Sequence, residues 1–216
     1  MSDYLTYLEI SAFVASLIAL PVLKRRPYLL LFPLLLLPVV LVEGYQAFIN
    51  PDKGSTTEFI YNFQVPLVQL LYLIMLAWSM ESLRKRKWIL IATLVFLGFS
   101  IITILYYLGE AKFNVLSYSL GCIFLTAGIL IKFYEMLKSP TKFDFLKDPF
   151  FYMLFAFLLF NMGTLPYFSM ANWLYYSIGN HDLVIILYNA MMILNLLLYF
   201  TYTICFLWMR AMKDSY

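Results

Sequence analysis

The sequence predicts an all-α polytopic membrane protein, a seven-transmembrane-helix bundle with its N-terminus outside and its C-terminus cytoplasmic. Three observations predict it. Of 216 residues, 63% are hydrophobic and 12% charged, against roughly 45–50% and about 25% in soluble domains. Seven stretches hold the ~20 apolar residues that a helix needs to cross a hydrocarbon core about 30 Å thick. The basic residues fall almost wholly on alternate links between those stretches. Charge this sparse cannot cover a water-facing surface, which excludes a soluble globular enzyme, a disordered regulator and a nucleic-acid-binding domain. Residues 1–216 therefore read as a single transmembrane domain.

The first span, Tyr4–Leu23, has its basic cluster Lys24-Arg25-Arg26 after the apolar run, and no A-x-A-like site follows. It reads as a retained helix and not as a cleaved signal peptide. Pro27 opens the second, Tyr28–Phe48, whose run Leu34-Leu35-Leu36-Leu37 lacks the alternation of a membrane β-strand. The third is Glu58–Met80 and the fourth Trp88–Leu108. In the fifth, Phe113–Leu137, Ser117 and Gly121 form a small-x-x-x-small pair suited to close packing within the bundle, and Lys132 is placed to snorkel to the interface. Asp148-Pro149, an N-cap followed by proline at the first helical position, opens the sixth, Phe150–Phe168. The seventh is Leu183–Met209, with Asn180, His181 and Asp182 as its cap. Pro33, Pro38, Pro66 and Pro166 lie inside spans; each frees a backbone carbonyl, giving either helix shape alone or bends that open a cavity.

Thirteen of the 15 basic residues lie on one side of these spans. They are Lys24, Arg25 and Arg26; Arg84, Lys85, Arg86 and Lys87; Lys132, Lys138, Lys142 and Lys147; and Arg210 and Lys213. Only Lys53 and Lys112 fall on the other side. Positive links stay cytoplasmic, which sets the orientation and accounts for the net charge of +3 without a nucleic-acid partner. Trp78, Trp88 and Trp208 fall near the inner interface and Trp173 near the outer one, as interfacial anchors do. Cys122 and Cys205 sit at different depths and read as packing residues, not as a disulfide.

The inner links Lys24–Pro27, Glu81–Lys87 and Lys138–Pro149 are too short to hold a kinase, cyclase or DNA-binding domain. So are the outer links Ile49–Thr57, Gly109–Lys112 and Ser169–Asp182, the last read as a short interfacial segment. Embedded chemistry is also poorly provided for. His181 is the sole histidine and lies outside the membrane, no Asp lies in a span core, and the seventh span has no lysine for a retinal Schiff base. Gly-rich phosphate loops and Cys-x-x-Cys are missing. The reading is a non-enzyme with no cofactor and no metal.

Strong polar groups concentrate in the outer halves of the spans. Glu43 and Gln46 lie in the second, Gln64 and Gln69 in the third, and Asn161 in the sixth. Along the seventh, Tyr188, Met191, Met192, Asn195, Tyr199 and Tyr202 follow three- and four-residue spacings on one face. Polar side chains at depth usually face a bundle interior or a wet cavity. Glu43, Gln46, Gln64, Gln69, Asn161, Tyr188 and Asn195 therefore form a candidate ligand-binding set, with Glu43 as its acidic member. The competing reading is interhelical hydrogen bonding that only holds the bundle together.

The stretches Tyr61-Asn62-Phe63-Gln64-Val65-Pro66-Leu67, Phe133-Tyr134-Glu135-Met136-Leu137-Lys138-Ser139-Pro140 and Leu146-Lys147-Asp148-Pro149-Phe150-Phe151-Tyr152 resemble those of uncharacterised bacterial seven-helix membrane proteins. Such proteins are similar in layout to the membrane-sensing portions of histidine kinases. The resemblance implies a bacterial inner (cytoplasmic) membrane and a sensing or accessory signalling role. Its partners would be the lipid bilayer, a small or lipidic ligand from the outer side, and a separate signalling protein. The alternatives are a small secondary transporter or permeation subunit, and a structural subunit of a membrane assembly.

Overall fold

The computed structural model describes residues 2–49, 55–107, 113–138 and 147–212, and all regular structure among them is helical. The elements are α1 (Ser2–Ile18), α2 (Leu20–Leu23), a 3-10 turn at Pro27–Leu30, α3 (Leu31–Phe48), α4 (Ser55–Ser79), α5 (Leu83–Tyr107), α6 (Val115–Lys138), α7 (Pro149–Trp173), a π-helical turn at Leu174–Ile178, and α8 (His181–Ala211). Six of the described helices, α3 to α8, are long and apolar enough to cross a membrane, so the chain is an integral membrane protein. Lys53, Lys112, Lys142, Lys213 and most of the two links Ile49–Thr57 and Lys138–Pro149 lie outside the described residues, as does the link Gly109–Lys112.

The predicted span Tyr4–Leu23 is not one helix. Pro21 has no N–H to continue the ladder, and the chain pauses at Ala19 before the short turn α2. The start at Pro27 is a 3-10 turn, not a regular helical turn. Two links are shorter than the sequence suggested. Arg84–Lys87 belong to the first turns of α5, because long basic side chains favour helix and reach water from it. The presumed interfacial segment Ser169–Asp182 is mostly helical: α7 runs on to Trp173, the π-helical turn follows, and Gly179 (φ 71°) makes the reversal. Both caps read from sequence are present. Asp148 Oδ1 accepts from the Phe150 amide at 3.1 Å and Asn180 Oδ1 from the Leu183 amide at 3.1 Å.

Six helices close a ring: α1 packs on α3, α3 on α4, α4 on α6, α6 on α7, α7 on α8, and α8 back on α1. α5 stands outside it against α4 and α6. Its inward seam is Ile89, Thr93, Phe96, Ser100 and Thr103, all buried at alternating four- and three-residue steps. Ile91, Leu94, Ile102 and Leu105 are exposed on the other side, as a lipid-facing helix requires. Ser117 and Gly121 pack within the chain. Ser117 Oγ hydrogen-bonds Ser100 Oγ at 2.8 Å, and the bare face of Gly121 receives the Gln69 side chain, with which an added Cβ would clash.

Every described Lys and Arg lies in the half of the bundle where α2 ends and α5 begins, here called the basic end. Lys132 does not snorkel to the interface. It is 7% exposed and donates to the Ser79 carbonyl at the end of α4 and to Glu135 at 3.4 Å. Glu135 in turn accepts from the Glu81 and Ser82 amides at 3.2 Å each, just ahead of α5. One pair on α6 thus sets a cation against the C-terminus of α4 and an anion against the N-terminus of α5, each favoured by the helix dipole. Similarly, Arg26 pairs with Asp148 at 3.2 Å, tying the link before α3 to the start of α7.

Removing one member of a buried pair leaves the other uncompensated, at a cost of about 3–5 kcal/mol. Glu135→Ala is expected to destabilise the fold by about that much, whereas Lys85→Ala, which removes only the more exposed contact at 3.5 Å, costs less than about 1 kcal/mol. Thermal unfolding of the purified proteins in the same detergent measures both.

Candidate functional site

At the other end of the ring the helices part around a cavity of about 530 Å³. All seven residues selected from sequence line it: Glu43, Gln46, Gln64, Gln69, Asn161, Tyr188 and Asn195. α1, α3, α4, α6, α7 and α8 each contribute side chains, whereas α5 contributes none. Of the α8 stripe, Tyr188, Met191, Met192, Asn195 and Tyr199 line the cavity, while the neighbouring Asn189 is exposed.

The seven divide by what their polar atoms already do. Gln69 Nε2 donates to the Tyr118 carbonyl at 3.1 Å, and Asn161 Nδ2 to the Phe157 carbonyl at 2.9 Å. Asn161 Oδ1 accepts from the Cys122 thiol at 3.4 Å. These two residues work mainly inside the bundle, as the packing reading holds. Glu43 is half-buried and accepts from the Tyr61 hydroxyl at 2.7 Å. Gln46 is buried, and Gln64 reaches the Pro38 carbonyl only at 3.5 Å. Gln64 Oε1 and Asn195 Oδ1 are buried without a hydrogen-bond partner. Tyr188, 42% exposed, stands at the wide end of the cavity, its ring 5.9 Å from that of Tyr167.

Sequence reasoning missed the most buried acid among the described residues. Glu9 of α1 is 2% exposed, lines the same cavity, and keeps Oε2 without a partner. Glu43 is therefore not the sole acidic member. The available signal was the small-residue face Ala12, Ala15, Ser16 and Ala19, which packs inward and carries Glu9 on its outward continuation. Glu43, Tyr61 and Tyr199 line the same space.

The cavity ends on an aromatic floor. Tyr202, the last member of the α8 stripe, is fully buried and shares a 2.6 Å hydrogen bond with the Tyr72 hydroxyl. Tyr72 stacks on Phe157 at 3.6 Å, and Phe32 meets Tyr72, Tyr202 and Phe206 edge-on. Toward the basic end the interior is close-packed with Leu73, Met75, Leu76 and Met153. The cavity is blind.

A second polar cluster joins α4, α5 and α6 away from the cavity. The Asn114 amide donates to Asn62 Oδ1 at 2.7 Å, Asn114 Nδ2 to Thr103 at 2.9 Å, and Asn114 Oδ1 caps α6 at the Ser117 amide. Every polar group in that chain meets another, which makes it a structural clamp. At the basic end a smaller cavity of about 260 Å³ lies among Arg26, Lys132, Glu135 and Asp148, whose charges already pair with one another. Cys122 and Cys205 are buried and unlinked. Among the described residues, no group of three or more His, Cys, Asp or Glu could hold a metal ion. The large cavity is equipped to bind through hydrogen bonds, carboxylates and aromatic faces.

Tyr202→Phe strands the Tyr72 hydroxyl in the floor, at an expected cost of about 1–3 kcal/mol. The double variant Tyr72→Phe/Tyr202→Phe removes both polar atoms and is expected to recover most of that loss, giving a clear coupling energy in a thermal-unfolding cycle.

Comparison with protein families, curated proteins and solved structures finds no match for this chain, which leaves the site itself as the basis for its function.

Proposed function

We propose that the protein is a membrane sensor or accessory signalling module without chemistry of its own, binding a small or lipidic molecule in its cavity. In this reading the chain crosses a bacterial cytoplasmic membrane seven times with its N-terminus outside. Helices α1 and α2 together supply the first crossing, about 33 Å over their length at 1.5 Å per residue. The cavity then faces outward, and the ligand shifts the surrounding helices against a partner chain held at the basic inner end. The signalling role is the one implied by the resemblance to seven-helix proteins that are similar in layout to the membrane-sensing portions of histidine kinases.

The observation that carries the proposal is the blind, polar-lined cavity enclosed by six helices. Its volume falls in the range of small-molecule sites. The buried atoms of Glu9, Gln64 and Asn195 that lack partners are what a ligand would satisfy, since an unpaired buried polar group is costly. A permeation subunit would need a route through the Tyr72–Tyr202 floor, and a structural subunit would need no cavity.

Protein purified in mild detergent from its host is expected to carry a small molecule in native mass spectrometry and to retain a partner chain. Asn195→Phe, which fills part of the space, is expected to abolish the bound mass with little change in thermal unfolding. An empty wild-type cavity, or an unchanged ligand in Asn195→Phe, overturns the proposal. Topology has its own test, with little background because Cys122 and Cys205 are buried. In intact cells an impermeant maleimide is expected to label Ser177→Cys, and to label Lys87→Cys only after permeabilisation.

A further inference from the structure

We infer that the ligand of this cavity is an organic cation: an ammonium-type head carried on an apolar or aromatic body. The inference rests on the proposed binding role and deepens it. Two acidic side chains, Glu9 and Glu43, face one cavity, while no Lys, Arg or His stands among its described lining residues. Every described cationic side chain lies toward the basic end, on the far side of the aromatic floor. Glu9 is 2% exposed and its Oε2 has no hydrogen-bond partner. The unmet acceptor is thus inside the cavity and almost wholly removed from solvent.

In a site of low dielectric a carboxyl group keeps its proton unless a countercharge or donors favour the ionised form, and a bound cation would supply that countercharge. Glu43 accepts from the Tyr61 hydroxyl at 2.7 Å, whereas Glu9 Oε2 has no hydrogen-bond partner among the described residues. A single ammonium between the two acids would offer donors to both and offset their mutual repulsion. Aromatic faces complete the fit. Phe157, Tyr167, Tyr188 and Tyr199 line the walls, and a cation over such rings gains further attraction. Among the described residues no group of three or more His, Cys, Asp or Glu gathers to hold a bare metal ion. The largely apolar remainder of the lining calls for a body as well as a charge.

The test uses three probes that share one body and differ in the head: 4-phenylbutylammonium, 4-phenylbutanol and 4-phenylbutyrate. Each is titrated by isothermal calorimetry against the full chain in nanodiscs, with protein-free nanodiscs as the blank. The ammonium is expected to bind saturably and about tenfold or more tighter than the alcohol, with the carboxylate weakest. Glu9→Gln and Glu43→Gln, close in size to the native acids, are each expected to weaken the ammonium about tenfold and to leave the alcohol unchanged. The comparison among heads on the unaltered protein does not depend on how the variants fold.

Equal binding of ammonium and alcohol, or an ammonium affinity unmoved by either glutamine, overturns the cation assignment while the binding role stands. Tighter binding of the carboxylate does the same. Binding of none of the three overturns the cation assignment, and the native-mass measurement then decides the binding role separately.

Discussion

A polar atom buried in a membrane bundle has no water to fall back on, and the arrangement of this protein follows from that constraint. Its polar groups are sorted into layers. At the basic end Lys132 and Glu135 serve the end of α4 and the approach to α5, while Arg26 and Asp148 join the link before α3 to α7. Above them comes the packed layer around Phe32, Tyr72, Tyr202 and Phe206, whose two hydroxyls answer each other. The third layer breaks the pattern. Around the large cavity, Glu9, Gln64 and Asn195 keep buried acceptors without protein partners, although satisfied polar networks lie only a helix away at Asn62 and Asn114. A bundle that completes its networks so fully elsewhere concentrates its unfilled hydrogen bonds where there is space for a guest.

The spans were readable in the sequence because their signal is additive: many apolar residues each contribute and no single one decides. Their ends were less so. Pro21 interrupts the first helix, Arg84–Lys87 extend α5, and α7 runs beyond Phe168 to Trp173; each depends on one or two residues balanced between helix and interface. The lining of the cavity was legible on α8, where three- and four-residue spacing marks a face, and on α3 and α4 through rare amides in apolar runs. Glu9 escaped notice because its significance lies in the small residues beside it, which bring α1 close to α3 and α8. Lys132 was misplaced for a related reason. Snorkelling is the expectation for a lone lysine near a helix end, and its true partners lie on α4 and one turn along α6.

Packing and the proposed binding draw on one set of residues. Gln69 holds α4 against α6 through the Tyr118 carbonyl and fits only because Gly121 has no side chain. Asn161 is likewise engaged with Phe157 and Cys122. Both still form cavity wall. A shift of α4 or α7 therefore cannot reshape the cavity without disturbing these contacts, which gives the site a mechanical link to the helices that run to the basic end.

The aromatic floor also has an electrical meaning. Across a membrane protein the voltage falls mainly over the dry, close-packed part of the structure, and a vestibule open to one bath sits near the potential of that bath. With Tyr72 and Tyr202 sealing the cavity, the close-packed layer between them and the basic end is the insulating part. A charge reaching Glu9 has accordingly crossed little of the field, far short of the ~2.3 kcal/mol that 100 mV exerts on a full crossing. Occupancy of such a site follows the composition of the solution it opens to and is nearly indifferent to the polarisation of the membrane.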